Sequence, residues 1–415
     1  MNDICFGPQK YKKTLLIPNG TYVLNSDLRI PSGAIIQGET VHGAKLQIGS
    51  NSIRLKSSDG KEFIDFSSTI RAENIKISNL SFLRTTGSYV LSGIRNSIFD
   101  SVIFKGQYEL GDTVAALATE PSAIFWQNPS LGVAVDNLYF KDCTFENNSI
   151  SIKVEQTGVF ETNVKFTGCK FYINHVGIFV QGVQGQSNNW TLADCQFEQT
   201  ANEAVRITQG RDTLIRDTIF KDCGNNTGTA QFPVTPVVYF GEKNNNRVIN
   251  CISNRPQSAG VTDNENLAAV IEIENSDKAV FVDRVYSEIF LSDSFRPLAV
   301  FSARARFIVV DYFLQLGNNV KNSRVGQLTL SLGSDLAGDN VTDISITDNY
   351  QYSPNFITSS GGITMTNLEF SAELRSNSTL DDSTGPNSDT ILLSYRNPLT
   401  SGSTGTIAFQ ITYGV

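Results

Sequence analysis

A nine-residue segment recurs along the first three hundred residues: NIKISNLSF (74–82), NSIFDSVIF (96–104), NLYFKDCTF (137–145), NVKFTGCKF (163–171), NWTLADCQF (189–197) and DTLIRDTIF (212–220). NNRVINCIS (245–253) and KAVFVDRVY (278–286) are looser copies. A polar residue, usually Asn, opens each copy eight residues before an aromatic, and the closest copies repeat every 22 to 26 residues. A fixed period of that size describes a solenoid, in which each unit buries its apolar face against the next copy.

A second strand follows each later copy: AIFWQN (123–128), SIKVEQ (151–156), GIFVQG (177–182), AVRITQ (204–209), VVYFGE (237–242) and VIEIEN (270–275). Alternation separates two faces. Ile124, Ile152, Ile178, Val205, Val238 and Ile271 form one apolar column, and Trp126, Val154, Val180, Ile207, Phe240 and Ile273 another; both are expected inside. The column between them, Phe125, Lys153, Phe179, Arg206, Tyr239 and Glu272, is expected outside. Short strands stacked in register at ~4.8 Å describe a parallel β-helix, and crossovers between parallel strands favour the right hand. Leucine-rich and propeller readings fit worse, since neither an LxxLxL nor a WD-type signature is present.

Cys143, Cys169 and Cys195 fall 26 residues apart at one repeat position, and Cys251 holds the equivalent place later. They read as a column of buried thiols rather than a metal or redox ladder, with no CxxC motif among them. Loop lengths differ at one corner. Phe145 to Ile152 and Phe171 to Ile178 take 7 residues each, whereas Phe104 to Ile124 takes 20 and Phe220 to Val238 takes 18. Insertions near 106–122, 222–236 and 254–268 therefore leave the same side of successive coils, where solenoids often make contacts. They suit packing against a neighbouring chain at least as well as ligand binding.

From about residue 300 the pattern changes. RFIVVDYFLQLG, VGQLTLSLG, VTDISITDNY, GITMTNLEFSAEL, DTILLSYRNPL and GTIAFQITYG are six longer alternating strands joined by Gly, Ser, Asn and Asp turns, as in an antiparallel sandwich. The reading is thus all-β: an N-terminal extension over 1–13, a right-handed parallel β-helix over 14–303, and an antiparallel β-sandwich over 304–415, with the boundary near 300–306.

Composition narrows the function. Net charge is −8 without a long basic run, which argues against nucleic acid as a partner. Two histidines are too few for a His-rich metal centre. No 18-residue apolar stretch points to membrane insertion, and the opening MNDICFGPQKYKK lacks the long apolar run of a secretory leader.

TLLIPNGTYVL (14–24) and LRIPSGAIIQGE (28–39) resemble the opening coils of the pectate-lyase-like β-helix superfamily, an architecture shared by phage tailspikes. VDYFLQLG, RVGQLTLS, ITDNYQY and TGTIAFQITYG resemble a sandwich domain recurrent in structural proteins of tailed phages. Together the resemblances imply a virion component assembled in the host cytoplasm. They also imply a homotrimer whose partners are other virion proteins and a host-surface polysaccharide.

Glycan cleavage needs two carboxylates flanking a groove, roughly 5–10 Å apart. Glu155, Glu203, Glu272 and Glu274 are outward candidates, and Asp263 and Glu265 lie on an insertion, yet none forms a distinctive pair. His42 and His175 read as turn or surface residues. No catalytic residue, metal or cofactor is assigned. The outward column of Phe125, Lys153, Phe179, Arg206, Tyr239 and Glu272 is the lead for glycan or partner binding, since exposed aromatics beside charges suit either. Three classes of function follow: a non-enzymatic virion protein (tail fibre, tailspike-like or decorating spike), a tailspike depolymerase using paired carboxylates, and a cellular β-helix enzyme or adhesin.

Overall fold

In the computed structural model the described residues are 14–57, 72–91, 94–114, 117, 119–127, 136–155, 161–181, 187–208, 210–224, 237–240, 246–254, 271–273, 285–290, 295–302, 307–316, 323–334, 341–352, 369–375, 390–396 and 404–414. The expected extension over 1–13 lies outside them.

Each coil lays down three short strands, and equivalent strands of successive coils pair in parallel. The first sheet runs from Thr14–Ile17 to Arg247–Ile249, the second from Gly20–Val23 to Ile252–Asn254, and the third from Leu28–Ile30 to Ile271–Ile273. Both predicted apolar columns stack in the third sheet: Ile124, Ile152, Ile178, Val205, Val238 and Ile271 are successive partners, as are Trp126, Val154, Val180, Ile207, Phe240 and Ile273. Every one of them up to Phe240 is buried. The chain is a parallel β-helix over this stretch.

The recurrent aromatic fills the second sheet's inner face. Phe82, Phe104, Phe145, Phe171, Phe197 and Phe220 form one stack, with adjacent ring centroids 4.3–5.3 Å apart. Phe99, Phe140 and Phe166 make a shorter stack on the first sheet at 4.7–4.8 Å. Identical residues at one rung position bring ring on ring at the strand spacing itself.

The recurrent Asn has a backbone cause. Asn74, Asn96, Asn137, Asn163 and Asn189 all have φ between 49° and 59°. A second set, Asn79, Ser101, Asp142, Asp194, Asp217 and Asn250, turns the chain from first to second sheet at φ 51–56°. Short polar side chains tolerate this left-handed region best, and only single residues visit it. Gly168 takes the same turn in its coil at φ 65°, and a Cβ there would lie 2.4 Å from Asp142 Oδ1.

Cys143, Cys169, Cys195 and Cys251 each follow one of these turn residues and are buried without disulfides. Their thiols lean on backbone carbonyls, Cys143 on Phe99 O and Cys169 on Phe140 O at 3.4 Å each. Burial pushes the Cys169 thiol well above its ordinary range. These are small core side chains held as thiols.

Beyond the helix, two antiparallel sheets share a core. One orders Val285–Phe290, Thr404–Gly414, Phe307–Leu316, Ser323–Ser334 and Val341–Tyr352; the other orders Arg296–Ser302, Thr390–Arg396 and Glu369–Arg375. Tyr312 of the first meets Phe370 of the second at 5.3 Å between ring centroids. All six strands expected from the sequence are present, and two more precede them. Val285–Phe290 pairs with Thr404–Gly414, and Arg296–Ser302 with Thr390–Arg396. Among the described residues the antiparallel strands therefore include Val285–Phe290, upstream of the expected 300–306 boundary. Apolar alternation is the same in parallel and antiparallel strands, so KAVFVDRVY and SEIFLSDSFRPL imitate the end of the repeat series.

Candidate functional site

The outward column of the third sheet stacks as expected: Phe125, Lys153, Phe179, Arg206, Tyr239 and Glu272 are successive partners. Cations alternate with rings along it. Lys153 Nζ lies 5.3 Å from the Phe125 centroid, and the Arg206 guanidinium lies 5.8 Å from Phe179 and 5.4 Å from Tyr239. These are cation–π distances, so the rings face their own neighbours. Exposure departs from expectation. Lys153 and Phe179 are each only 4% exposed. The cause is the insertion after Phe104: Leu117 packs on the cluster of Ile150, Val176 and Phe179, and Lys153 Nζ donates to Glu120 O at 3.3 Å. The middle of the column holds down a segment of its own chain. The Glu272 side chain lies outside the described residues.

The same insertion is anchored at its start. Gly106 N donates to Glu146 O and Tyr108 N to Asn147 O, while Asn147 Nδ2 donates back to Tyr108 O. The Tyr108 ring meets His175 edge-on at 5.8 Å, with Oη 3.5 Å from Nδ1. His175 sits in a bend, as expected, but is buried rather than at the surface; His42 is exposed in its turn. Burial lowers the His175 pKa to about 4. The folded value is below the unfolded one of about 6.5, so stability is complete above pH 6.5 and falls as pH drops toward 4, by roughly 3 kcal/mol for this group. Denaturant midpoints at pH 7 and 4.5 check this: His175→Gln should lose clearly less stability between the two than the natural chain.

Of the carboxylates expected to face outward, Glu203 is buried and pairs with Arg206 at 3.2 Å. Glu274, Asp263 and Glu265, and the side chain of Glu155, lie outside the described residues.

A different outer column has the open chemistry. On the second sheet Lys105, Glu146, Tyr172, Glu198, Lys221 and Asn254 are successive partners. Tyr172 is 38% exposed, between two carboxylates that are each fixed by a lysine: Lys105 Nζ to Glu146 Oε1 at 2.9 Å, and Lys221 Nζ to Glu198 Oε1 at 2.6 Å. Gln196 Nε2 donates to Glu198 Oε2 at 3.0 Å. Asp222 follows at φ 57°. Burial raises its pKa, Lys221 opposes the rise, and the charge of Glu198 adds to it. These residues carried a sequence signal. Lys105, Glu146, Tyr172, Glu198 and Lys221 each stand one place after the recurrent aromatic, where alternation points a side chain outward.

The family model for rhamnogalacturonase A/epimerase, pectate lyase-like, matches residues 1–229, more than half of the 415. The chain belongs to this family. The match takes in the phenylalanine stack, the insertion after Phe104, and Tyr172, Glu198 and Asp222. No curated protein matches the chain. Among solved structures it is similar to the tailspike protein of Acinetobacter baumannii phage AM24, at 11% identity over 96% of this chain and 78% of that one, TM-score 0.37. It is also similar to tailspike gp49 of Acinetobacter baumannii phage Fri1, a capsular polysaccharide depolymerase, at 10% identity over 97% and 79%, TM-score 0.30. The tailspike of Escherichia coli phage HK620 in complex with a pentasaccharide gives 9% identity over 97% and 87%, TM-score 0.31. In this rhamnogalacturonase A/epimerase-like chain no described helix is long and apolar enough to cross a membrane.

Proposed function

We propose that the chain is a non-enzymatic virion spike that binds a host-surface glycan along the outside of its β-helix, as a homotrimer joined to other virion proteins. Two things support the virion setting: a β-helix of a glycan-acting family, and C-terminal strands that resemble the sandwich of tailed-phage structural proteins. The observation that carries glycan binding is Tyr172, an exposed ring with Glu146 and Glu198 held in place on either side. A sugar ring presents apolar C–H faces to an aromatic and hydroxyls to flanking carboxylates, and the lysines fix those carboxylates before the ligand arrives. The middle of the column of Phe125, Lys153, Phe179, Arg206, Tyr239 and Glu272 serves instead, through Lys153 and Phe179, to dock the insertion. Tyr172→Ala should weaken binding of purified oligomer to host capsule about ten-fold or more, the scale of a tyrosine hot spot. Binding unchanged by that substitution, read by biolayer interferometry on immobilised polysaccharide, rejects this site.

The depolymerase reading rests on one observation, the proximity of Asp222 to Glu198. Two carboxyls whose environments separate their protonation are the machinery of glycoside hydrolysis. Our reading expects no new reducing ends when the native oligomer meets host polysaccharide. Reducing ends that appear with the natural chain and vanish with Asp222→Asn establish the depolymerase in its place.

A further inference from the structure

The insertion after Phe104 leaves a gap in the helix wall. In the preceding coil, strand Ser81–Arg84 turns through Thr85 and Thr86 into Tyr89–Leu91; two coils further on, Thr144–Glu146 turns through Ser149 into Ile150–Glu155. The coil between them stays bonded to the next at Gly106 and Tyr108 and leaves the stack after Tyr108, so the rest of its corner is missing. Flanking coils there stand two strand spacings apart, roughly 10 Å. Arg84 spans the gap, its Nε donating to Asn148 Oδ1 at 3.1 Å and its Nη1 to Gly87 O at 3.3 Å.

The gap forms an open-mouthed cavity of about 250 Å³, lined by Arg84, Thr85, Gln107, Tyr108, Asp112 and Ser149 among others. That is just under the roughly 300–1,000 Å³ of drug-sized sites, room for a single ring and not for a chain of rings. Arg84 is 5% exposed and lines the cavity, with Nε held by Asn148 and Nη1 by Gly87 O. Burial draws its pKa down to about 10, with Glu120 opposing, so it stays a cation at neutral pH. Opposite it, Asp112 accepts Glu109 N at one oxygen, Oδ2, at 2.8 Å. The wall thus holds one cation and one anion among hydroxyl and amide groups.

We propose that this missing-corner cavity binds one uncharged pyranose ring. Each sugar hydroxyl both donates and accepts, which suits a wall offering a guanidinium, a carboxylate, an amide and hydroxyls together. A second negative charge would meet Asp112. The inference rests on the glycan reading above but concerns a site separate from Tyr172.

The test is saturation-transfer NMR and calorimetry on the full-length oligomer with methyl glycosides of glucose, galactose, mannose, rhamnose and N-acetylglucosamine, against glucuronate. At least one neutral glycoside should bind, and more tightly than glucuronate. Thr113→Trp, at an exposed position on the rim, should weaken it at least ten-fold, and Gln107→Ala several-fold. Both sites are at the surface, so the fold should survive; Arg84→Met should abolish binding. In a Tyr172→Ala background the loss caused by Thr113→Trp should persist, which assigns it to the cavity and not to the Tyr172 ring. No binding by any neutral glycoside, preference for glucuronate, or indifference to Thr113→Trp overturns the proposal, and polysaccharide binding that persists in that case leaves the Tyr172 site standing.

Discussion

Phe145→Ala should destabilise the β-helix by about 3–5 kcal/mol, the range for deleting a fully buried aromatic. Phe145 packs against rings above, below and across the described core. It stacks on Phe104 at 4.9 Å and on Phe171 at 4.7 Å, and meets Phe140 at 6.2 Å and Phe166 at 6.5 Å from the first sheet. The neighbours cannot collapse into the space, because each ring is fixed by the strand register of its own coil. The cavity term is therefore added to the lost transfer energy. Stability in a solenoid is nearly a sum of coil and interface terms, so one damaged coil weakens two interfaces. Equilibrium unfolding in denaturant measures the loss, with Lys170→Ala on the exposed side of the same sheet as a control expected within about 0.5 kcal/mol. A loss under about 1 kcal/mol for Phe145→Ala would mean that the stack adds little beyond its backbone.

Arg324→Met should cost the C-terminal unit about 2–3 kcal/mol while leaving the helix intact, because it removes charge-assisted hydrogen bonds and strands a half-buried carboxylate. The Arg324 side chain is 1% exposed and ion-pairs with Asp348. Its Nε donates to Tyr312 Oη at 2.8 Å, and that hydroxyl donates to Asp348 Oδ1 at 2.9 Å. The guanidinium also lies 3.6 Å from the Tyr350 ring centroid. Without Arg324, the Asp348 carboxyl keeps the burial that already raises its pKa and loses the charge that opposes it. The double change Arg324→Met with Asp348→Asn removes the stranded charge and should recover much of the loss. Separate thermal transitions for helix and C-terminal unit, followed by near-UV circular dichroism and limited proteolysis, distinguish the outcomes. Equal losses in single and double variants would contradict the network account.

How much of this was legible in the sequence differs from residue to residue. Inward columns such as Ile152, Ile178 and Val205 need only a period of two and a constant coil length, and both are visible in the chain. The left-handed turns explain the recurrent Asn and Asp, so even the signal that first revealed the repeat has a backbone cause. Burial on the outer face was not legible. Lys153 and Phe179 point outward as alternation demands, but whether they meet water depends on the path of an aperiodic insertion. Tyr172 was as readable as Phe179, one residue past the recurrent aromatic. Aromatics and charges alternate more visibly along the third sheet, which masks the plainer signal of the second. The boundary near Val285 is a limit of another kind. Its partner Phe409 lies more than a hundred residues away, and no local pattern names a distant strand.

The coils opening at Cys143 and at Cys169 have the same length, 26 residues to the next cysteine, and carry the same aromatic and turn positions. Their boundaries therefore fall at equivalent points of the gene. A recombination event that copied or dropped one such stretch would preserve the reading frame, both inner faces and every left-handed turn, lengthening or shortening the shaft by one strand spacing of ~4.8 Å. The length of the β-helix can thus change by whole coils in single genetic steps, while the corner insertions diversify independently of it.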